Sequence, residues 1–114
     1  MSELTDLEIR KMITVIEIKR LFPKAKSIEF DHKQNCYWIN VVGFESYPLL
    51  DPLTDDALCF RLMVKYDMAP FKCEFGGYEC VYDMDLVLSG SGITNDENPN
   101  RAICLAIIEG NKHE

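Results

Sequence analysis

Residues 71–82, FKCEFGGYECVY, constrain the fold more than any other stretch of this chain. Two alternating segments meet at Gly76-Gly77, and a glycine pair suits a two-residue primed turn, whose central residues both take positive φ. Such a turn sets Phe75 opposite Tyr78, Glu74 opposite Glu79, Cys73 opposite Cys80, Lys72 opposite Val81 and Phe71 opposite Tyr82. Side chains alternate across a sheet. Phe71, Cys73, Phe75, Tyr78, Cys80 and Tyr82 then share an apolar, core-facing side, while Lys72, Glu74, Glu79 and Val81 form the wet side. Cross-strand Cα atoms lie about 5.5 Å apart or closer, so a Cys73–Cys80 disulfide is sterically reachable. A metal site would need further ligands, and His32 and His113 fall in a loop and in the tail. The two thiols read best as small apolar residues between aromatic pairs.

The helices announce themselves by their caps. Thr5 and Glu8 have capping-box spacing, Leu4 and Ile9 are placed for a hydrophobic staple, and Ile9, Met12, Ile13 and Ile16 follow at helical spacing up to Leu21, before Pro23. The stretch SIEFDHKQNCYWINVV reads as a hairpin, with strands from Ser27 to Asp31 and from Cys36 to Val42, followed by an irregular link, GFESYPLLDPL. A second helix starts after Thr54 as N-cap and runs to about Tyr66, with Arg61 and Lys65 its only charges after Ala57. SGSGITNDEN reads as a flexible loop. The last helix opens with Asn98 as N-cap and Pro99 as first residue, and stops at Gly110. The expected fold is one α+β domain spanning residues 1–114: a single antiparallel four-stranded sheet with packed helices, in the order α-β-β-α-β-β-α. The last two helices are too apolar for an ordinary surface position. They are buried between layers or form a homodimer contact.

Charge and cysteine usage narrow the function classes. With 12 basic and 19 acidic residues the net charge is −7, which disfavours direct nucleic-acid binding. A nucleic-acid mimic wants rows of carboxylates, whereas here nothing exceeds the pairs Asp55-Asp56 and Asp96-Glu97. The polar start MSELTDLEIRKM lacks a signal peptide's apolar core, and the longest apolar run, Ala102 to Ile108, is far short of the roughly 20 residues that span a bilayer. Five cysteines without a C-x-x-C pair fit free thiols in a reducing cytoplasm.

No catalytic constellation, cofactor site or metal site emerges. G-x-S-x-G and H-E-x-x-H are absent, and the glycines and serines at 89–92 lack the lysine of a phosphate loop. His32 in DHKQN reads as a turn residue, and Asp83 with Asp85 is too little for a cation site. Tyr37 and Trp38 are adjacent on a strand and point to opposite faces, so one is core and the other partly exposed. Tyr37, Trp38, Glu74 and Glu79 are the candidate interface residues.

The stretches LTDDALCFRLMVKY and ENPNRAICLAII, with the opening LTDLEIRK, resemble small uncharacterised phage and prophage proteins, including those grouped as the phage ABA-sandwich domain. The resemblance runs through most of the chain in order. The chain departs from it in a longer first hairpin and in the SGSGITNDEN loop. It implies helices packed on a sheet and a phage or prophage origin, and brings no catalytic residues. The expected function is therefore that of a non-enzymatic accessory protein that binds a host or phage protein in the host cytoplasm. Two rivals are an anti-defence inhibitor of a host nuclease acting as an acidic mimic, and a protein that sequesters a nucleotide or other small molecule beside residues 89–98.

Overall fold

The computed structural model describes residues 4–112; His113 lies outside them. Among the described residues, four helices and six strands form two compact units that divide between Leu50 and Asp51. The order is α-β-β-β-α-β-β-α-β-α, and each unit holds its own three-stranded antiparallel sheet. This overturns the expected single four-stranded sheet and seven-element order. Each hairpin recruits a third strand from a segment with weak strand character, so each sheet is completed locally.

In the first unit, α1 (Asp6–Leu21) is followed by β1 (Ser27–Asp31), β2 (Cys36–Asn40) and β3 (Phe44–Pro48). The capping box closes as its spacing requires: Glu8 N–H donates to Thr5 Oγ1 at 3.1 Å, and Thr5 N–H to Glu8 Oε1 at 3.0 Å. Register pairs Ile28 with Ile39, and Phe30 with Tyr37 and through it Tyr47. That face packs with Val15, Ile18 and Phe22 into the unit's core. The buried Thr14 links helix to chain: its hydroxyl donates to Arg10 O at 2.7 Å and accepts from Leu50 N–H at 2.9 Å. The link GFESYPLLDPL, expected to be irregular, supplies β3; Gly43 and Pro48 mask its pairing in the sequence.

In the second unit, α2 (Asp56–Lys65), β4 (Ala69–Lys72), β5 (Tyr78–Val81), the single-turn α3 (Met84–Val87), β6 (Ile93–Asp96) and α4 (Pro99–Lys112) follow in order. The α2 cap is Asp55, whose Oδ1 accepts from Leu58 N–H at 3.0 Å; Thr54 instead donates its hydroxyl to Asp51 Oδ2 at 2.6 Å. The expected flexible loop supplies β6. Its Thr94 hydroxyl donates to Ala102 O at 2.8 Å and its Asp96 pairs with Arg101 at 2.9 Å, tying the strand to α4. Helix α4 packs against all three strands and α2, burying Ala102, Ile103, Cys104, Ala106, Ile107 and Ile108. It does not stop at Gly110. That glycine remains helical, where a side chain would touch Tyr82 and Met68.

Candidate interaction surface

The turn at Gly76-Gly77 decides which residues face outward, and it is not the two-residue turn expected. Cys73 N–H donates to Gly77 O at 3.0 Å and Gly76 N–H to Cys73 O at 3.3 Å, closing a five-residue connection with Glu74 and Phe75 at its centre. Both glycines have positive φ, +102° and +79°, but they end the turn instead of forming its middle. The register is therefore displaced by three residues, with Phe71 opposite Glu79 and Lys72 opposite Tyr78. An odd displacement moves one strand's alternating set to the other side of the sheet. Cys80 stays inward and fully buried, while Phe71 turns outward, 47% exposed.

The corrected register assembles a surface. On the outward side Ala69, Val81 and Ile93 stand in one row across the three strands, and Phe71, Glu79 and Asn95 in the next. Ala69, Phe71, Ile93 and Asn95 are exposed, and Val81 and Glu79 are half-buried. The opposite side, with Pro70, Tyr78, Cys80 and Thr94, is the one that faces α4. At the end of the outward side Asn95 Nδ2 lies 3.9 Å from Cys73 Sγ. Burial, and then a hydrogen bond and charge from Glu79, push the Cys73 thiol up from its ordinary value. Cys73 and Cys80 thus lie on opposite sides of the sheet, and all five cysteines are free.

The four residues expected at an interface disperse. Tyr37 is core, 5% exposed, and its hydroxyl donates to Lys11 O at 3.3 Å; burial raises its pKa. Trp38 is half-buried on the other side of β2, where its indole N–H donates to Asp31 Oδ2 at 3.1 Å. Glu74 is exposed in the turn, and Glu79 sits between Phe71 and Asn95 instead of facing Glu74. The apolar row around Glu79 is hidden in the sequence, where Phe71 reads as part of the core ribbon and Ile93 as part of a loop. Alternation in ITND is the signal that could have found β6.

Elsewhere the chemistry is thin. A dent of about 230 Å³ at the β2–β3 turn is lined by Val41, Val42, Gly43, Phe44 and Glu45. Its five consecutive residues bring together no acid, base and nucleophile. Among the described residues no group of three or more His, Cys, Asp or Glu side chains is arranged to hold a metal ion. None of the described helices is long and apolar enough to cross a membrane. The chain matches no family model, no curated protein and no solved structure.

Proposed function

We propose that this chain is a non-enzymatic binding module that docks the outward side of the β4–β5–β6 sheet onto another protein. The observation that carries the reading is the Ala69–Val81–Ile93 row with Phe71 beside it. These are apolar side chains in contiguous register, with Ala69, Phe71 and Ile93 exposed around a half-buried Val81, on a sheet whose other side is filled. An apolar centre with Glu79 and Asn95 at its border has the anatomy of a protein interface. Following the resemblance of the helices, the module is a phage or prophage accessory protein, and its partner is a host or phage protein in the bacterial cytoplasm.

The acidic-mimic alternative has less behind it. Asp31, Asp55, Asp83 and Asp96 turn their carboxylates onto backbone N–H groups, Trp38 or Arg101, so they do not form an outward row. The test is native mass spectrometry of tagged protein isolated gently from bacteria, comparing the natural chain with a Phe71→Ser, Ile93→Ser double variant. Both side chains are exposed, so the fold tolerates the change. A stoichiometric partner that the double variant loses supports the reading. Undiminished capture by the variant, or a small-molecule mass on the natural chain, overturns it.

A further inference from the structure

Three thiols lie in the interior of the second unit: Cys59 of α2, Cys80 of β5 and Cys104 of α4, each exposed by 1% or less. The Cys59 thiol reaches across from α2 to α4, where it donates to Asn100 O at 3.8 Å. Cys104 follows Asn100 by one helical turn, and helical side chains lean over the turn that precedes them. The two sulfurs therefore meet, and the thiols of Cys59 and Cys104 are hydrogen-bonded to each other. Asn100 also fixes the crossing of the two helices, because its Nδ2 donates to Asp56 Oδ1 at 2.8 Å and to Leu53 O at 3.3 Å. Cys80 is near enough to feel the charge of Cys59, but its own hydrogen bond is with the Ala69 backbone.

We propose that Cys59 and Cys104 are a reversible redox lock, in which a hydroperoxide converts the two thiols into a disulfide between α2 and α4. The Cys59 sulfur reacts first. The hydrogen bond with Cys104 holds its pKa below the ordinary thiol value, whereas the same bond and burial push Cys104 upward and keep its proton in place. The Cys59 thiolate attacks one peroxide oxygen, breaks the O–O bond and becomes a sulfenic acid, and the released hydroxide takes up the proton that Cys59 gave away. The Cys104 sulfur then attacks the sulfenic sulfur. Its proton passes to the departing hydroxyl, which leaves as water. Two thiols thereby lose two protons and two electrons, and one hydrogen peroxide is reduced to two waters. Hydrogen-bonded thiols already sit close, so the bridge asks only for side-chain rotation and a slight approach of the helices. The chain between the two cysteines contains β4, β5, α3 and β6, so the link closes a long loop around the whole sheet. Such a cross-link restricts the unfolded chain far more than the folded one. Oxidation thus holds α4 on the sheet against local opening, and reduction releases it. The inference stands on the thiol pair alone and does not depend on the sheet-side reading.

Thiol counting by mass spectrometry tests it, in a full-length chain carrying Cys36→Ser and Cys73→Ser. These changes remove the two partly exposed thiols and leave the three buried ones. The folded, reduced protein is treated with hydrogen peroxide, then unfolded and labelled with a maleimide. Three labels are expected before treatment and one after it, on Cys80, with one pair of peptides joined through Cys59 and Cys104. Dithiothreitol restores all three. The urea midpoint of the oxidised form is expected to rise by about 1 M and to fall back on reduction. In the same chain Cys104→Ala abolishes the link. Cys80→Ala leaves it intact, which keeps the test open if Cys104→Ala fails to fold. Sulfoxide at Met84, which is 69% exposed, reports that the peroxide has acted. The proposal is overturned by three labels remaining once Met84 is oxidised, by labels lost without a Cys59–Cys104 link, by a link that forms only in urea, or by a midpoint that does not rise.

Discussion

Asp31 shows how a single side chain organises the first hairpin. Its carboxylate accepts from the Trp38 indole at 3.1 Å and from the backbone N–H groups of Lys33 and Gln34 at 2.9 and 3.2 Å. The Trp38 bond, and then the backbone donors, hold its pKa below the ordinary 3.8. A depressed carboxylate pKa contributes stability that is full above the unfolded-state value and is lost as pH falls through the native one. An NMR titration is expected to place the Asp31 midpoint below 3.8, with the Trp38 indole N–H resonance moving at the same pH. A midpoint at or above 3.8 would remove this account of the loop. The cysteines divide just as sharply. Cys36 and Cys73 are partly exposed, whereas Cys59, Cys80 and Cys104 are buried. Burial raises the Cys80 thiol to about 11, and a hydrogen bond with Cys59, together with burial, pushes Cys104 upward. Iodoacetamide applied to the folded protein is expected to add two labels, at Cys36 and Cys73, with the other three appearing only on unfolding. A third label without loss of structure would contradict the burial. Reading the thiols as small apolar residues was within reach of the sequence, because an odd count without paired spacing points that way. Assigning Cys73 to its outward side was not, since that depended on the form of the turn beside it.

At the scale of elements, local chemistry and long-range pairing part company. Helices α1 and α2 were legible because their signals are local: Thr5 with Glu8, a run of isoleucines at helical spacing, and an acidic start to α2. The strands β3 and β6 were not, because their pairing is set by neighbours elsewhere in the chain. FESYP exposes four of its five residues and ends in proline, while ITND is short and mostly polar. Nothing in either segment announces a strand until β2 and β5 offer their open edges. The missed register had a similar cause, since Gly76-Gly77 satisfies more than one hairpin connection and only the cross-strand partners choose between them. One glycine in the loop before β6 is indispensable for a different reason. Gly92 is buried with φ +83°, and its carbonyl accepts from Tyr82 and Asp83 N–H at 2.9 and 3.3 Å. A side chain there would strike Asp83 O and crowd Leu86 Cβ at 2.9 Å. Gly92→Ala is expected to lower the unfolding free energy by about 1–3 kcal/mol, measured by urea denaturation. Gly90, at φ +89° with open space around it, is the control. Gly90→Ala bears the backbone term without the collision and should cost less. Equal losses would show that the α3–β6 connection relaxes freely.

For the whole molecule, class was legible and partition was not. Alternating helical and strand patterns identify an α+β chain, yet they do not say whether two hairpins join into one sheet or each acquires a third strand of its own. The deciding contacts are the cross-strand pairs of β2 with β3 and of β5 with β6, which neither partner displays alone, and the outward apolar row exists only once they form. The same holds for the charge balance, which composition states but whose consequence depends on what the fold leaves exposed. At neutral pH the net charge of −7 keeps copies apart. The fold leaves Val42, Phe44, Phe60, Phe71, Phe75 and Leu88 exposed in both units, so repulsion opposes indiscriminate apolar contact between copies. That opposition vanishes near the isoelectric point of about 4.8. Light scattering at low salt is therefore expected to stay low at neutral pH and to rise steeply on approach to pH 4.8. The Phe71→Ser, Ile93→Ser double variant should reduce that rise, because it removes apolar surface and leaves every charge in place. Scattering that stays flat through the isoelectric point would mean that the exposed apolar residues are too dispersed to associate. The sheet side would then lack the stickiness that a docking surface requires.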